Sequence, residues 1–359
     1  MKSLRTYLPA LGFLLVAAIT FTLLETECGK AKRAESPMNG AVARAETGAQ
    51  NDGSPKRVRV ATWNLMWLDE TVSEERIQNI RSVIRHLDAD VLALQEVASV
   101  AALRQVLPAE YEIAMAAEGG KNQNLAVAVR KPIRFVSEPV ALFQGALYEE
   151  AYPDQRDPLR VYLSFPSEET VAVYVVHYKS RSGGRATTEP RRIAASCFLA
   201  AWIRSKGDKN VIVLGDFNDT PDDACLNVLE TGNLLASGRI ENEPDPFLVN
   251  LCEPLAADEY VSIEVHKLYR GKPVQPIAKG ARDDNNRLRG QDYDYPGDVL
   301  VEQALFDQIL VSHALARRVE RSRADVYAGE DALRGMTSGR HGEGSLASDH
   351  LPVFVDIRY

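Results

Sequence analysis

Basic charge does not predominate in this sequence. Its 42 Lys and Arg residues face 50 Asp and Glu, a net charge of −8. That balance excludes a general nucleic-acid-coating protein, which is normally basic. It leaves room for an enzyme that meets phosphates through a local basic strip and a metal. Cysteine is scarce, at four residues. Cys28 leaves with the N-terminus if that segment is cleaved, and Cys197 reads as a buried free thiol in a helix. Only Cys225 and Cys252 remain as a pair that an oxidising compartment permits to bridge. There is no internal repeat and no second linker, which favours one domain after the N-terminal segments. His86, His266, His313 and His341 lie in no supporting pattern and read as surface or structural residues.

The N-terminus carries the compartment signal. Lys2 and Arg5 precede an uncharged apolar stretch, Tyr7 to Leu24, closed by Glu25. Positive-then-apolar is the order of a secretory signal, and the stretch also reaches the lower limit for a membrane span. Residues 1–28 are therefore expected to be a signal peptide or membrane anchor. Export to the periplasm, the cell exterior or the outer side of a membrane follows. Residues 29–56, rich in Ala, Gly, Ser, Glu and Asn, read as a disordered tether. Residues 57–359 form the remaining domain, expected to act as a monomer.

Within that domain, apolar strands keep ending on polar, ligand-capable groups. Arg57 to Asn64 alternates at period two and ends on Asn64. Glu74 to Leu87 places Ile77, Ile80, Ile84 and Leu87 on one helical face, with Thr71 and Glu74 spaced as a capping box. Asp90 to Glu96 is a buried strand ending on Glu96, and Val171 to Val176 delivers His177, with Lys179 two residues on. A helix is expected from Arg191 to about Ser205, with Pro190 before it and Ile193, Cys197, Ala200 and Ile203 inward. Val211 to Leu214 leads into Gly215-Asp216-Phe217-Asn218, where continued extension puts Asp216 and Asn218 on one face. Thr220 to Asp223 reads as a turn opening another helix. Leu305 to Val311 surrounds Asp307 with apolar residues, and Ser348-Asp349-His350 leads into the last strand. One polar residue at a strand end is usually a turn residue. Six in one chain call for a shared explanation, because functional groups gather at strand ends and the loops beyond.

In order, Trp63-Asn64, Gln95-Glu96, His177-Tyr178-Lys179, Gly215-Asp216-Phe217-Asn218, Phe306-Asp307-Gln308-Ile309 and Ser348-Asp349-His350 resemble the endonuclease/exonuclease/phosphatase superfamily. The resemblance implies a four-layer α/β sandwich, two packed mixed β-sheets flanked by helices, with the site at one end of the sheets. It implies a metal held by Glu96 with Asn64 and Asp349, and oxygen-rich ligation favours Mg²⁺, then Mn²⁺ or Ca²⁺. It makes His350 the imidazole beside the phosphate and Asp307 the carboxylate that orients it. His177 becomes a second imidazole, Asp216 the group that orients or deprotonates water, and Asn218 a donor to phosphoryl oxygens. Lys179 and Arg156 are expected at the phosphate, with Arg160 an equal candidate for the arginine.

Two departures narrow the resemblance. Abasic-site enzymes carry a Tyr near the place of His177, and inositol-phosphate phosphatases carry Trp-x-Asp-Arg where this chain has Leu305-Phe306-Asp307-Gln308. The chain therefore resembles the secreted-deoxyribonuclease and sphingomyelinase branches. Lys179 to Arg192 holds five basic residues around Ser182-Gly183-Gly184, either a flexible basic loop that tracks a nucleic-acid backbone or a solvated helix start. Asp283 to Asn286, Asp292, Asp294 and Asp298 match no justified Ca²⁺ loop and read as an exposed insertion. The leading expectation is a non-specific, metal-dependent endonuclease acting on nucleic acid. A sphingomyelinase-like enzyme acting on phospholipid is the alternative, and it requires an exposed apolar tip near Ala141–Tyr152 or Tyr293–Tyr295. A binding module that has lost its site fits poorly, because every expected residue is present.

Overall fold

A computed structural model of the chain describes residues 57–116, 123–153, 156–181, 184–233, 247–266, 268–269, 272–273, 301–333 and 347–359. All lie in the unit Ser54–Tyr359. The expected signal and tether, Ser182-Gly183, the acidic stretch from Asp283 to Asp298 and His341 fall outside the described residues. Among the described residues, no helix is long and apolar enough to cross a membrane.

The chain opens with β1 (Arg57–Leu68), α1 (Glu74–Leu87), β2 (Val91–Val97), α2 (Val100–Val106), β3 (Glu112–Met115) and β4 (Asn124–Val129). Then come β5 (Arg134–Phe135), β6 (Val140–Ala141), β7 (Leu159–Ser164), β8 (Thr170–His177), α3 (Arg185–Lys206), β9 (Val211–Asp216) and α4 (Ala224–Thr231). They are followed by β10 (Val249–Asn250), α5 (Glu253–Ala257), β11 (Ile263–His266), β12 (Leu268–Tyr269), β13 (Lys272–Pro273) and β14 (Val301–Ala304). The chain closes with β15 (Asp307–Val311), α6 (His313–Ala316), β16 (Asp325–Val326), α7 (Glu330–Leu333) and β17 (Val353–Arg358).

One sheet runs β16-β17-β1-β2-β4-β3 and the other β10-β15-β9-β8-β7-β5, with β6 added on β7. Each contains one parallel pair, β1 with β2 and β8 with β9, and the other pairs are antiparallel. Each parallel pair is joined by a helix, α1 or α3, because parallel neighbours require a crossover connection. Period-two burial stacks the layers. In β8, Val171, Val173 and Val175 enter the core shared with the first sheet, while Ala172, Tyr174 and Val176 face α3 and α4. The result is the expected α/β sandwich of two mixed sheets flanked by helices.

Several local expectations are corrected. Ser73, not Thr71, caps α1, its hydroxyl accepting from Arg76 N–H at 3.2 Å. Thr71 is instead bound to the Asp69 carboxylate through its hydroxyl and N–H, both at 2.7 Å. Helix α3 starts at Arg185 and carries Pro190 inside it. Its buried face is Arg192, Ala195, Ser196, Leu199, Ala200 and Ile203, so Ile193 and Cys197 are only half-buried. Cys225 and Cys252 are both free and buried, in separate cores on opposite faces of the second sheet, so no bridge joins them.

Candidate active site

The first sheet supplies a carboxylate and an amide, Glu96 and Asn64, through a local irregularity. Asn64 pairs with Gln95 and Leu68 with Val97, so Leu65, Met66 and Trp67 bulge opposite Glu96. Met66 (φ 45°), Trp67 (φ 57°) and Glu96 (φ 57°) all adopt left-handed backbone. Each such residue costs about 1–3 kcal/mol, strain that concentrates at functional sites. Polar bonds hold the bulge. Asn64 Oδ1 accepts from Met66 N–H at 2.9 Å, and Trp67 N–H donates to Glu96 Oε2 at 3.1 Å. Arg76 Nη2 donates to the Leu65 and Met66 carbonyls at 2.5 and 2.6 Å. Asn64 Nδ2 donates at 3.1 Å to both Glu96 Oε1 and Asp216 Oδ2, which ties the two sheets' carboxylates together. Burial pushes the Glu96 carboxyl up, and Asp349 adds to that, while Asn64 and His350 oppose it.

The second sheet supplies a row of titrating groups. In register, β9 places Asp216 between His177 of β8 and Asp307 of β15. Gly215 makes the close approach possible: at φ 145°, a Cβ there would lie 2.0 Å from the Val176 carbonyl oxygen. The chain then turns rather than staying extended. Asn218 has φ 52°, its N–H donates to Asp216 Oδ1 at 2.8 Å, and its Nδ2 donates to the Tyr178 carbonyl at 3.1 Å. Asn218 therefore reaches Asp216 through a left-handed turn, not through the strand alternation expected. Burial raises the Asp216 carboxyl to about 7, with Asp307 adding to it and His350, Asn218 and Asn64 opposing.

His350 Nδ1 lies 2.7 Å from Asp307 Oδ2, and its Nε2 is 3.8 Å from Asp216 Oδ2. Burial alone disfavours the imidazolium, but the Asp307 charge and hydrogen bond, with Asp216 and Asp349, outweigh it and raise His350 well above its usual range. His177 goes the opposite way. Burial, then Arg156, His350 and Lys179, hold it well below that range. Arg156 Nη1 is 3.2 Å from His177 Nε2, so that nitrogen accepts and the ring is neutral. Nε2 also lies 3.7 Å from Glu96 and 3.6 Å from Asp216. Two buried imidazoles thus stand in opposite protonation states beside one carboxylate.

Arg156 is buried beside His177, whereas Arg160 lies on β7 over the Tyr162 ring, which separates the two candidates. Lys179 is half-buried, with Nζ 3.1 Å from Ser180 Oγ. The basic segment does not form a track for a backbone. Arg181 and Arg192 are buried against Asp219, at 2.9 and 2.6 Å, and Arg181 and Arg185 bind Asp223. Arg191 donates to the carbonyls of Glu149 and Glu150. These arginines also hold site turns in place: Arg181 Nε donates to the Asn218 carbonyl and Arg192 Nη1 to that of Lys179.

Ser262 was not legible in the sequence. Its hydroxyl donates to Asp307 Oδ2 at 2.7 Å and accepts from Phe306 and Asp307 N–H at 3.0 Å. A lone serine after Tyr260-Val261 carries no motif signal. Gln95, part of the quoted motif, instead pairs with Thr62 inside the core.

Among the described residues, no group of three or more His, Cys, Asp or Glu forms a closed metal cage. The donors still fit a hard divalent cation. Glu96 is a half-buried carboxylate whose charge burial and Asp349 disfavour, a penalty that a cation at its oxygens reverses. Mg²⁺ is held by one or two carboxylates with retained water and substrate phosphate, so a sparse set suffices. Asn64 fits less well as a ligand, because its oxygen already accepts from Met66 N–H and its amide faces the carboxylates. It is placed to position Glu96.

The pattern of the endonuclease/exonuclease/phosphatase family matches residues 61–350. The chain belongs to that family. Enzymes of the family hydrolyse phosphoester bonds. Solved structures repeat this family fold. D. rerio TDP2 complexed with a single-strand DNA product superposes with a TM-score of 0.54 at 16% identity, covering 84% of this chain and 99% of that one. TDP2 from C. elegans gives 0.53 at 15% identity, covering 85% and 77%. ANGEL2, described as a 2',3'-cyclic phosphatase, gives 0.50 at 15%, covering 85% and 95%. No curated protein matches the sequence.

Proposed function

We propose that this family member is an exported, divalent-metal-dependent phosphodiesterase that cleaves nucleic acid as a non-specific endonuclease. The carrying observation is Asp216, a buried carboxylate raised to about 7, set between neutral His177 and protonated His350. Groups with protonation states pushed apart in one site are suited to acid–base work near neutral pH. The expected N-terminal signal supports export.

The residues divide the work as follows. Glu96, with Asp349, would hold the cation, which would supply charge neutralisation at the phosphoryl group and a more acidic water. Asp216, oriented by Asn64 and the Asn218 N–H, accepts the proton of the attacking water. Protonated His350, fixed through Nδ1 by Asp307, donates through Nε2 to a phosphoryl oxygen. The Arg156 guanidinium, positioned by neutral His177 through Nε2, offers its remaining N–H groups to the same phosphoryl group, with Lys179 nearby.

The phospholipid alternative finds little support among the described residues. In one expected tip, Leu142 and Tyr152 are buried and Phe143 stacks on Tyr152 at 5.4 Å, which leaves Leu147 exposed. The other expected tip lies outside the described residues. An activity panel with Mg²⁺, Mn²⁺, Ca²⁺ and EDTA against plasmid DNA, RNA, sphingomyelin and bis-p-nitrophenyl phosphate tests the reading. DNA cleavage abolished by EDTA is expected. Cleavage of sphingomyelin with DNA left intact overturns it. Asp216→Ala is expected to abolish turnover with a thermal melt near wild type, and His350→Ala to abolish turnover with a lowered melt, because it strands the buried Asp307 carboxylate.

A further inference from the structure

The bulge that delivers Glu96 also presents an indole to solvent. Trp67 is 49% exposed, whereas Trp63, four residues earlier, is fully buried. Its left-handed φ of 57° makes it an outlier for a bulky side chain, a place that glycine would occupy without strain. The conformation is held on both sides. The Trp67 N–H is bonded to Glu96, Arg76 grips the two preceding carbonyls, and Leu68 returns to register with Val97. An exposed tryptophan in strained backbone contributes neither core burial nor relaxed geometry. Its one distinguishing asset is its position, with the main chain 3.1 Å from the carboxylate assigned to the cation.

We infer that Trp67 is the stacking platform for a nucleobase flanking the scissile phosphate. The inference rests on the nuclease reading above and specifies how the substrate is gripped. Base–aromatic stacking needs only a flat apolar face, tolerates every base, and so suits an enzyme without sequence preference. It also supplies substrate affinity that the internally paired arginines of the 181–192 segment do not. A rigid bulge favours this use, because a main chain already held in place loses no further freedom when the indole it carries stacks.

The test compares kcat/KM for oligothymidylate with that for an abasic tetrahydrofuran oligomer of equal length, both with Mg²⁺. Wild type is expected to prefer the oligothymidylate. Trp67→Ala should lower the ratio of the two by roughly 5- to 150-fold, the range of one base stack, and Trp67→Phe should retain most of it. In EDTA, oligothymidylate should quench wild-type tryptophan fluorescence, and that change should vanish in Trp67→Phe. Trp67→Gly, which relieves the left-handed strain, should melt at or above wild type while losing the preference, which separates stacking from folding. An unchanged ratio in Trp67→Ala refutes the platform and leaves the nuclease reading standing. Wild type that cleaves neither oligomer refutes both. Sphingomyelin cleavage whose dependence on the choline group is lost in Trp67→Ala would reassign the indole to a quaternary ammonium.

Discussion

Replacing Asp219 with Ala is the sharpest test of whether the arginines after β8 are scaffold or substrate contacts. Asp219 is fully buried, and its carboxylate receives Arg181 through Nη2 at 2.9 Å and Arg192 through Nε at 2.6 Å. Arg192 is fully buried and Arg181 nearly so. The Ala variant leaves both guanidiniums without that charge. Removing one partner of a buried pair costs about 3–5 kcal/mol, because the remaining charge is stranded in low dielectric. Total domain stability is about 5–15 kcal/mol, so the loss is a third or more of a mid-range value. At roughly 2–4 °C per kcal/mol for a domain of this size, the melt should fall by about 6–20 °C. Urea unfolding followed by circular dichroism should show a lower midpoint at an unchanged slope. The difference should persist between about 0.1 and 1 M NaCl, since salt screens buried pairs much less than exposed ones. A midpoint equal to wild type, or a loss that disappears in high salt, refutes the buried clamp. It would return these arginines to the surface, where they would be free to meet a phosphate backbone.

Asp307→Asn should lower the His350 titration midpoint in NMR and reduce kcat by roughly 10²- to 10⁴-fold. His350 is raised in the folded state, so its stabilisation is present below its unfolded value and lost as pH rises through the folded one. The stability gap between wild type and variant should accordingly narrow at high pH. Glu230 is pushed to about 8 by burial and then by Glu253, so folded protein keeps a proton there that unfolded chain releases near 4.5. Stability should fall as pH rises from about 5 to 8, and Glu230→Gln should flatten that slope in urea midpoints; an undiminished slope contradicts the assignment. Gly215→Ala places a methyl 2.0 Å from the Val176 carbonyl oxygen, and should cost about 1–3 kcal/mol in urea unfolding and reduce kcat by displacing Asp216 from His177.

The sequence announced the site through strand ends, because an apolar run that stops on Asn64, Glu96, His177 or Asp216, or that starts on Asp307, marks both the strand and the rim. Register did the rest: adjacent strands brought His177, Asp216 and Asp307 into one row. What was hidden depended on tertiary neighbours. Two glycines after Arg181 suggested a loose basic loop, yet Asp219 and Asp223 draw its arginines inward. Ser262 has no local pattern because its partners, Phe306 and Asp307, are more than forty positions away. The bulge at Leu65–Trp67 was invisible because period-two alternation continues through Asn64 and gives no warning of the left-handed turn beyond.

The antiparallel pairing of β1 with β17 sets Arg57 opposite Arg358, the two ends of the described domain, side by side. Asn64 lies seven residues further along β1, and His350 just precedes β17. At about 3.3 Å per residue, the chemistry sits roughly 20 Å from the point where the domain's ends meet. Tags, fusions or surface linkages attached at either end therefore leave from the edge remote from the catalytic rim. The same adjacency makes the domain a candidate for circular permutation, with a short linker joining the old ends and new ends opened in a peripheral loop.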